Sequence, residues 1–154
     1  MKISDFLDAD AIITDLTSTT KKEVIEELSA SISNNNQHIN QERLSEILRE
    51  REELCSTALD SGVAVPHGKI GGITDVIIGF GRSIEGIDYD SLDQKPTHFF
   101  ITLVAPEDIT GLHIQLLAKI SKIFKDPEFR AKLIKCESTQ NIYEAIKHED
   151  EKNS

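Results

Sequence analysis

Hydrophobic and polar positions along this chain fall into two periods, one of strands and one of helices. Ala11-Ile12-Ile13-Thr14-Asp15-Leu16, Asp75-Val76-Ile77-Ile78-Gly79-Phe80-Gly81-Arg82 and Thr97-His98-Phe99-Phe100-Ile101-Thr102-Leu103-Val104 read as strands. The last is almost continuously apolar, the pattern of a strand covered on both faces, and is expected at the centre of a sheet. Val63-Ala64-Val65 reads as a shorter buried strand. Thr20-Lys21-Lys22-Glu23 is a capping box, in which hydroxyl and carboxylate satisfy reciprocal backbone donors. It opens a helix that runs on Val24, Ile25 and Leu28 to about Ile32 and stops at Ser33-Asn34-Asn35-Asn36, whose asparagines tolerate turn geometry. Asn40 caps a second helix carrying Leu44, Ile47, Leu48 and Arg51 at i, i+3, i+4 and i+7, which places Arg51 on the inward face. Leu112, Leu116, Ile120 and Ile123, with Leu117 and Phe124, mark a third helix ending near Lys125. Asp126-Pro127-Glu128 opens another, with Asp126 as cap and Pro127 at the first helical position, and Ser138-Thr139-Gln140 opens the last. Gly86 to Pro96 is turn-rich.

Helices interleave with strands, and some strands lie too close together for a crossover helix. This predicts an α/β fold: a mixed β-sheet flanked on both faces by helices, in a single domain. The domain is expected over residues 1–147, followed by a charged, frayed tail over 148–154. A chain of 154 residues is long enough to bury a core of its own.

Composition narrows the function. No apolar stretch approaches the length of a bilayer, and Met1-Lys2-Ile3-Ser4-Asp5 begins no signal peptide, so a cytoplasmic protein without direct membrane insertion is expected. The net charge of −10 argues against nucleic acid as a partner and favours proteins that present a basic face. Cys55 and Cys136 fit neither a metal spacing nor a disulfide framework, and Cys55 reads as a small packing residue. Of the five histidines, His38 lies in a polar loop and reads as solvated, while His98, beside Phe99 and Phe100, reads as structural.

His67 is different. It ends Gly62-Val63-Ala64-Val65-Pro66-His67-Gly68, where an apolar run meets a proline that cannot donate to a ladder and a glycine that admits unusual backbone angles. An imidazole held at a strand end is a competent nucleophile near neutral pH. Together with Arg49-Glu50-Arg51-Glu52-Glu53-Leu54-Cys55-Ser56-Thr57 and Gly111-Leu112-His113-Ile114-Gln115-Leu116-Leu117-Ala118-Lys119-Ile120-Ser121, this segment resembles the type 2 enzyme IIA family of the bacterial phosphoenolpyruvate-dependent phosphotransferase system, the fructose, mannitol and nitrogen-related branch. The resemblance runs from about Ile3 to about Ile146. It departs from the family at Asp60, where a glycine or alanine is usual; an acid there either disfavours a charged product on His67 or points into water.

The resemblance implies that His67 takes a phosphoryl group from the phosphohistidine of the small histidine phosphocarrier protein, while His113 and Arg51 stabilise the group without being phosphorylated. The isolated domain, with Leu54 to Thr57 and His113 to Ser121 in this style, looks most like the nitrogen-related branch, whose members regulate partners according to phosphorylation. The alternatives are a sugar-transport enzyme IIA that passes the group to an enzyme IIB, and a binding module in which His67 is never phosphorylated. A histidine-dependent hydrolase is a weaker third reading, because no triad-like partners are evident.

The residue types suit that chemistry. A phosphoryl group in transfer carries negative charge on its outer oxygens and needs fixed positive donors. The planar arginine fork holds two phosphate oxygens at once, as lysine cannot. His113, in the first turn of its helix and in line with Leu117 and Ile120, is expected to project inward beside free backbone N–H groups. Ser56 and Thr57 are candidate hydroxyl donors to the phosphate, although such pairs are equally ordinary where a helix ends. No cofactor is implied and no metal is needed, since Arg51 and His113 supply the charge.

Overall fold

A computed structural model describes residues 2–153. After a single 3-10 turn at Ile3–Asp5 come β1 (Leu7–Ile13), α1 (Lys21–Asn34), α2 (Gln41–Leu54), β2 (Val63–Ala64), β3 (His67–Ile70), β4 (Ile77–Ile87), β5 (Thr97–Pro106), α3 (Leu112–Phe124), α4 (Pro127–Lys135) and α5 (Thr139–Lys152). β5 is central, as its apolar run predicts: it pairs antiparallel with β4 on one side and parallel with β2 and β3 on the other, and β1 lies parallel to β4 at the far edge. The sheet is mixed, with helices on both faces.

The period of two along β5 divides the interior. Phe99, Ile101, Leu103 and Ala105 join a core with α3, α4 and α5; Phe100 and Val104 join a second core with α1 and α2. Four of the five α-helices start at their predicted caps: Thr20, Asn40, Asp126 and Ser138 all accept a backbone N–H from the first turn.

Two elements differ from expectation. β1 begins at Leu7 and ends at Ile13, earlier than the 11–16 segment, because its register shifts between Leu7, opposite Ile78, and Ile12, opposite Phe80. The irregularity carries Asp8 and Asp10 and erases the alternation that would mark the strand. The tail read as frayed from 148 onward is instead helical to Lys152, with Glu149 and Asp150 buried. Asp150 accepts the N–H of Ile3 and pairs with Lys119 of α3 at 3.0 Å, so charge here is spent on internal contacts.

Arg82 of β4 is also buried, and three elements meet on it. Its guanidinium donates to the carbonyls of Thr14, Leu133 and Cys136 at 3.0, 2.8 and 2.6 Å. It thereby closes the C-terminal end of α4 onto the sheet.

Candidate functional site

β2 and β3 are one strand interrupted by Pro66. Val63 and Ala64 lie opposite Phe99 and Phe100, and His67 to Ile70 opposite Leu103 to Pro106, in one unbroken register, while the carbonyl of Pro66 accepts the N–H of Leu103. His67 therefore opens the second piece of the strand and does not end the first. The glycine after it serves a different purpose from the one its sequence suggests. Gly68 has no positive φ; a Cβ there would lie 2.6 Å from Cγ2 of Ile47, so the missing side chain lets α2 settle against β3. That close approach brings Arg51, one turn further along α2, near enough for its charge to act on the imidazole.

Nδ1 of His67 lies 2.7 Å from the carbonyl oxygen of Val65. A carbonyl only accepts, so Nδ1 carries the hydrogen and Nε2 of the neutral ring keeps its lone pair. Desolvation by burial is the largest influence on this ring and pulls its pKa below the ordinary value. Positive charge on Arg51 and on His113 acts in the same direction; the Val65 carbonyl and the Glu52 carboxylate oppose it. At neutral pH His67 is thus an uncharged imidazole with a fixed tautomer.

The two groups whose charge acts on this ring lie on two helices. Arg51, half-buried in the last turn of α2, donates from Nη1 to the carbonyl of Cys55 at 2.8 Å, the one hydrogen bond its guanidinium makes among the described residues. His113 is the second residue of α3, which begins at Gly111 with φ +86°, a conformation suited to glycine. Its Nδ1 is buried with no hydrogen-bond partner among the described residues. Arg51 and His113, named with His67 from the sequence, thus lie where their charge acts on its ring.

The hydroxyls of Ser56 and Thr57 point elsewhere in this structure. Ser56 donates to the carbonyl of Tyr89 at 2.9 Å, and Thr57 donates to the carboxylate of Glu52. Cys55, expected to pack, is exposed, because α2 ends at Leu54 and the chain turns outward there. Asp60 is exposed as well. His98 holds the carbonyl of Ser83 with Nδ1 at 2.9 Å, in keeping with a structural role. Around the site Leu54 and Ile114 are 83% and 63% exposed.

Glu52 is a residue to which sequence reasoning gives no role. It is buried, and it pairs with Lys21 of α1 at 3.1 Å. The signal was present: Glu52 follows Leu44 and Leu48 at intervals of four and so lies on the buried stripe of α2. Among the described residues no three His, Cys, Asp or Glu side chains gather as a metal site would require, and no helix is long and apolar enough to cross a membrane.

Residues 5–149 match the family model described as phosphoenolpyruvate-dependent sugar phosphotransferase system, EIIA 2. The chain belongs to this family. As an EIIA 2 chain it is 32% identical to a nitrogen regulatory protein of Bradyrhizobium diazoefficiens over 95% of both chains. It is 31% identical to the fructose-specific EIIABC component of Bacillus subtilis over 97% of its own length, but spans only 24% of that protein. Its structure superposes on the nitrogen regulatory protein IIA-Ntr of Neisseria meningitidis with a TM-score of 0.86 and 29% identity, covering 94% of this chain and 98% of the other. The EIIA 2 fold and the full-length similarity to nitrogen regulatory members agree with the reading of the three sequence blocks.

Proposed function

We propose that this chain is a cytoplasmic phosphoryl carrier of a nitrogen-related regulatory branch, loaded at Nε2 of His67 by the phosphohistidine of a histidine phosphocarrier protein. The observation that carries this reading is the Nδ1 contact to Val65 O, which leaves Nε2 as the nucleophile. The Nε2 lone pair attacks phosphorus as the phosphorus–nitrogen bond to the donor ring breaks, and the donor nitrogen recovers that electron pair. Nδ1 of His67 keeps its hydrogen, so positive charge that develops on the ring faces the Val65 carbonyl. Arg51 and His113 offset charge on the phosphoryl oxygens, and the first-turn amides of α3 add donors. Ser56 and Thr57 join the phosphate only if their hydroxyls turn from Tyr89 and Glu52. Leu54 and Ile114 supply the apolar rim against which a partner protein docks, in a protein whose charge favours basic partners.

Incubation with phosphoenolpyruvate, enzyme I and a cognate histidine phosphocarrier protein is expected to add one acid-labile phosphoryl group, read by intact mass. No gain would overturn the carrier reading in favour of a binding module. In the same assay Arg51→Lys is expected to accept at least about tenfold more slowly, since a point charge cannot hold two oxygens, and His113→Ala to lose about a hundredfold while retaining acceptance. Wild-type rates in either variant would remove that residue from the mechanism. The similarity to a fructose-specific protein keeps one alternative open, in which the group passes to an enzyme IIB. Rapid loss of the label to a cysteine of a co-encoded enzyme IIB would establish it.

A further inference from the structure

Glu52 joins three parts of the molecule around the site. Its carboxylate accepts the N–H of Thr57 at 3.0 Å and the Thr57 hydroxyl, and pairs with Lys21 at 3.1 Å. Lys21 also lies over the ring of Tyr89, 4.7 Å from its centroid, and the Tyr89 carbonyl accepts the Ser56 hydroxyl. The segment 55–58 is therefore pinned from both ends, at Thr57 by Glu52 and at Ser56 by the strand of chain after β4. That segment carries the Cys55 carbonyl on which Arg51 rests, and Thr57 O accepts the N–H of Val65, the residue whose carbonyl fixes His67. Both the guanidinium and the imidazole are thus seated on backbone that Glu52 holds.

Resting on the carrier reading above, we propose that Glu52 is a positioning residue for phosphoryl transfer: through Thr57 it sets the backbone carbonyls of Cys55 and Val65 that orient Arg51 and His67. Its negative charge has a second effect. The Glu52 carboxylate opposes the influence of Arg51 on α2 and of His113 on α3 on the pKa of His67, while Lys21 on α1 keeps the acid itself compensated. The same carboxylate, after burial, pushes the Tyr89 hydroxyl far above its ordinary pKa, which keeps that hydroxyl neutral within the cluster.

Glu52 is buried, so its removal should affect the chemical step and leave carrier binding alone. Glu52→Gln keeps the shape and one acceptor but loses the charge and the second acceptor. In a titration of carrier protein, its maximal rate of acceptance is expected to fall about ten- to a hundredfold, as misplacement of catalytic groups does, with an unchanged half-saturating concentration. Independently of transfer, nuclear magnetic resonance of the imidazole nitrogens should show the His67 pKa falling in this variant, since one of the influences that raise it is gone. Thr57→Val, which cuts only the hydroxyl link, should lower the maximal rate with less change in that pKa and serves if Glu52→Gln fails to fold. A folded Glu52→Gln protein with wild-type maximal rate and wild-type His67 titration would overturn the proposal, as would a wild-type rate in Thr57→Val if that variant alone folds. If the wild-type chain accepts nothing, the carrier reading fails, and an unshifted His67 titration in Glu52→Gln is what then refutes the role of Glu52.

Discussion

His67→Ala is expected to accept no phosphoryl group under conditions that load the wild-type chain fully. The variant loses one hydrogen bond, to Val65 O, which is worth about 1 kcal/mol, so its circular dichroism should be unchanged and its melting temperature only slightly lower. Loss of acceptance without loss of fold separates the nucleophile from the residues that support it. The wild-type rate should also depend on pH in a defined direction. Protonation of His67 occupies Nε2 and stops attack, and desolvation, assisted by Arg51 and His113, holds this pKa below the ordinary imidazole value. As pH falls, acceptance should therefore decline only at a lower pH than the titration of an ordinary imidazole would give. An acid-labile phosphoryl group on His67→Ala would move the nucleophile elsewhere, with His113 the first place to look.

Replacing Arg82 should have the largest effect on stability. Arg82→Leu fills similar space but removes the guanidinium donors from the carbonyls of Thr14, Leu133 and Cys136, around a side chain that is itself buried. Acceptors that lose their partners in buried surroundings cost about 1 to 3 kcal/mol each, so the loss of this hub should lower Tm by on the order of 10 °C. Its ion pair contributes little, since Asp15 is exposed and 3.8 Å away. Arg82→Lys should recover a minor part, because one ammonium on a flexible stem cannot span three carbonyls. A urea midpoint that gives less than about 1 kcal/mol for Arg82→Leu would show that water or a neighbouring donor replaces the guanidinium.

Legibility in the sequence followed how local each signal was. The helix starts were readable because a cap and its recipient lie within one turn, as at Thr20 and Glu23. The central position of β5 was readable because burial on both faces leaves a continuous apolar run. β1 was not, since its irregular register mixes Asp8 and Asp10 into a strand whose partner lies far along the chain. At the site, Arg51 and His113 could be placed on inward faces by helical spacing, and their meeting with His67 came from the three-block resemblance. What periodicity could not supply was the role of Gly68, which depends on a methyl of Ile47 from another element, or that of Glu52, whose partners Lys21 and Thr57 lie on different segments. Arg82 sits within a strand pattern and looks like an ordinary exposed position until α4 is placed beside it.

The contact between Asp150 and the amide of Ile3 has a consequence for how the molecule is made. The two groups are 147 residues apart, so the amide leaves the ribosome long before the acceptor that it needs. Until then α3, which carries His113, also lacks the carboxylate that anchors Lys119. A nascent chain in which residue 150 has not yet cleared the ribosome exit tunnel should consequently be a better substrate for proteases and chaperones than one in which it has, and α5 acts as the fastening that ends this exposure.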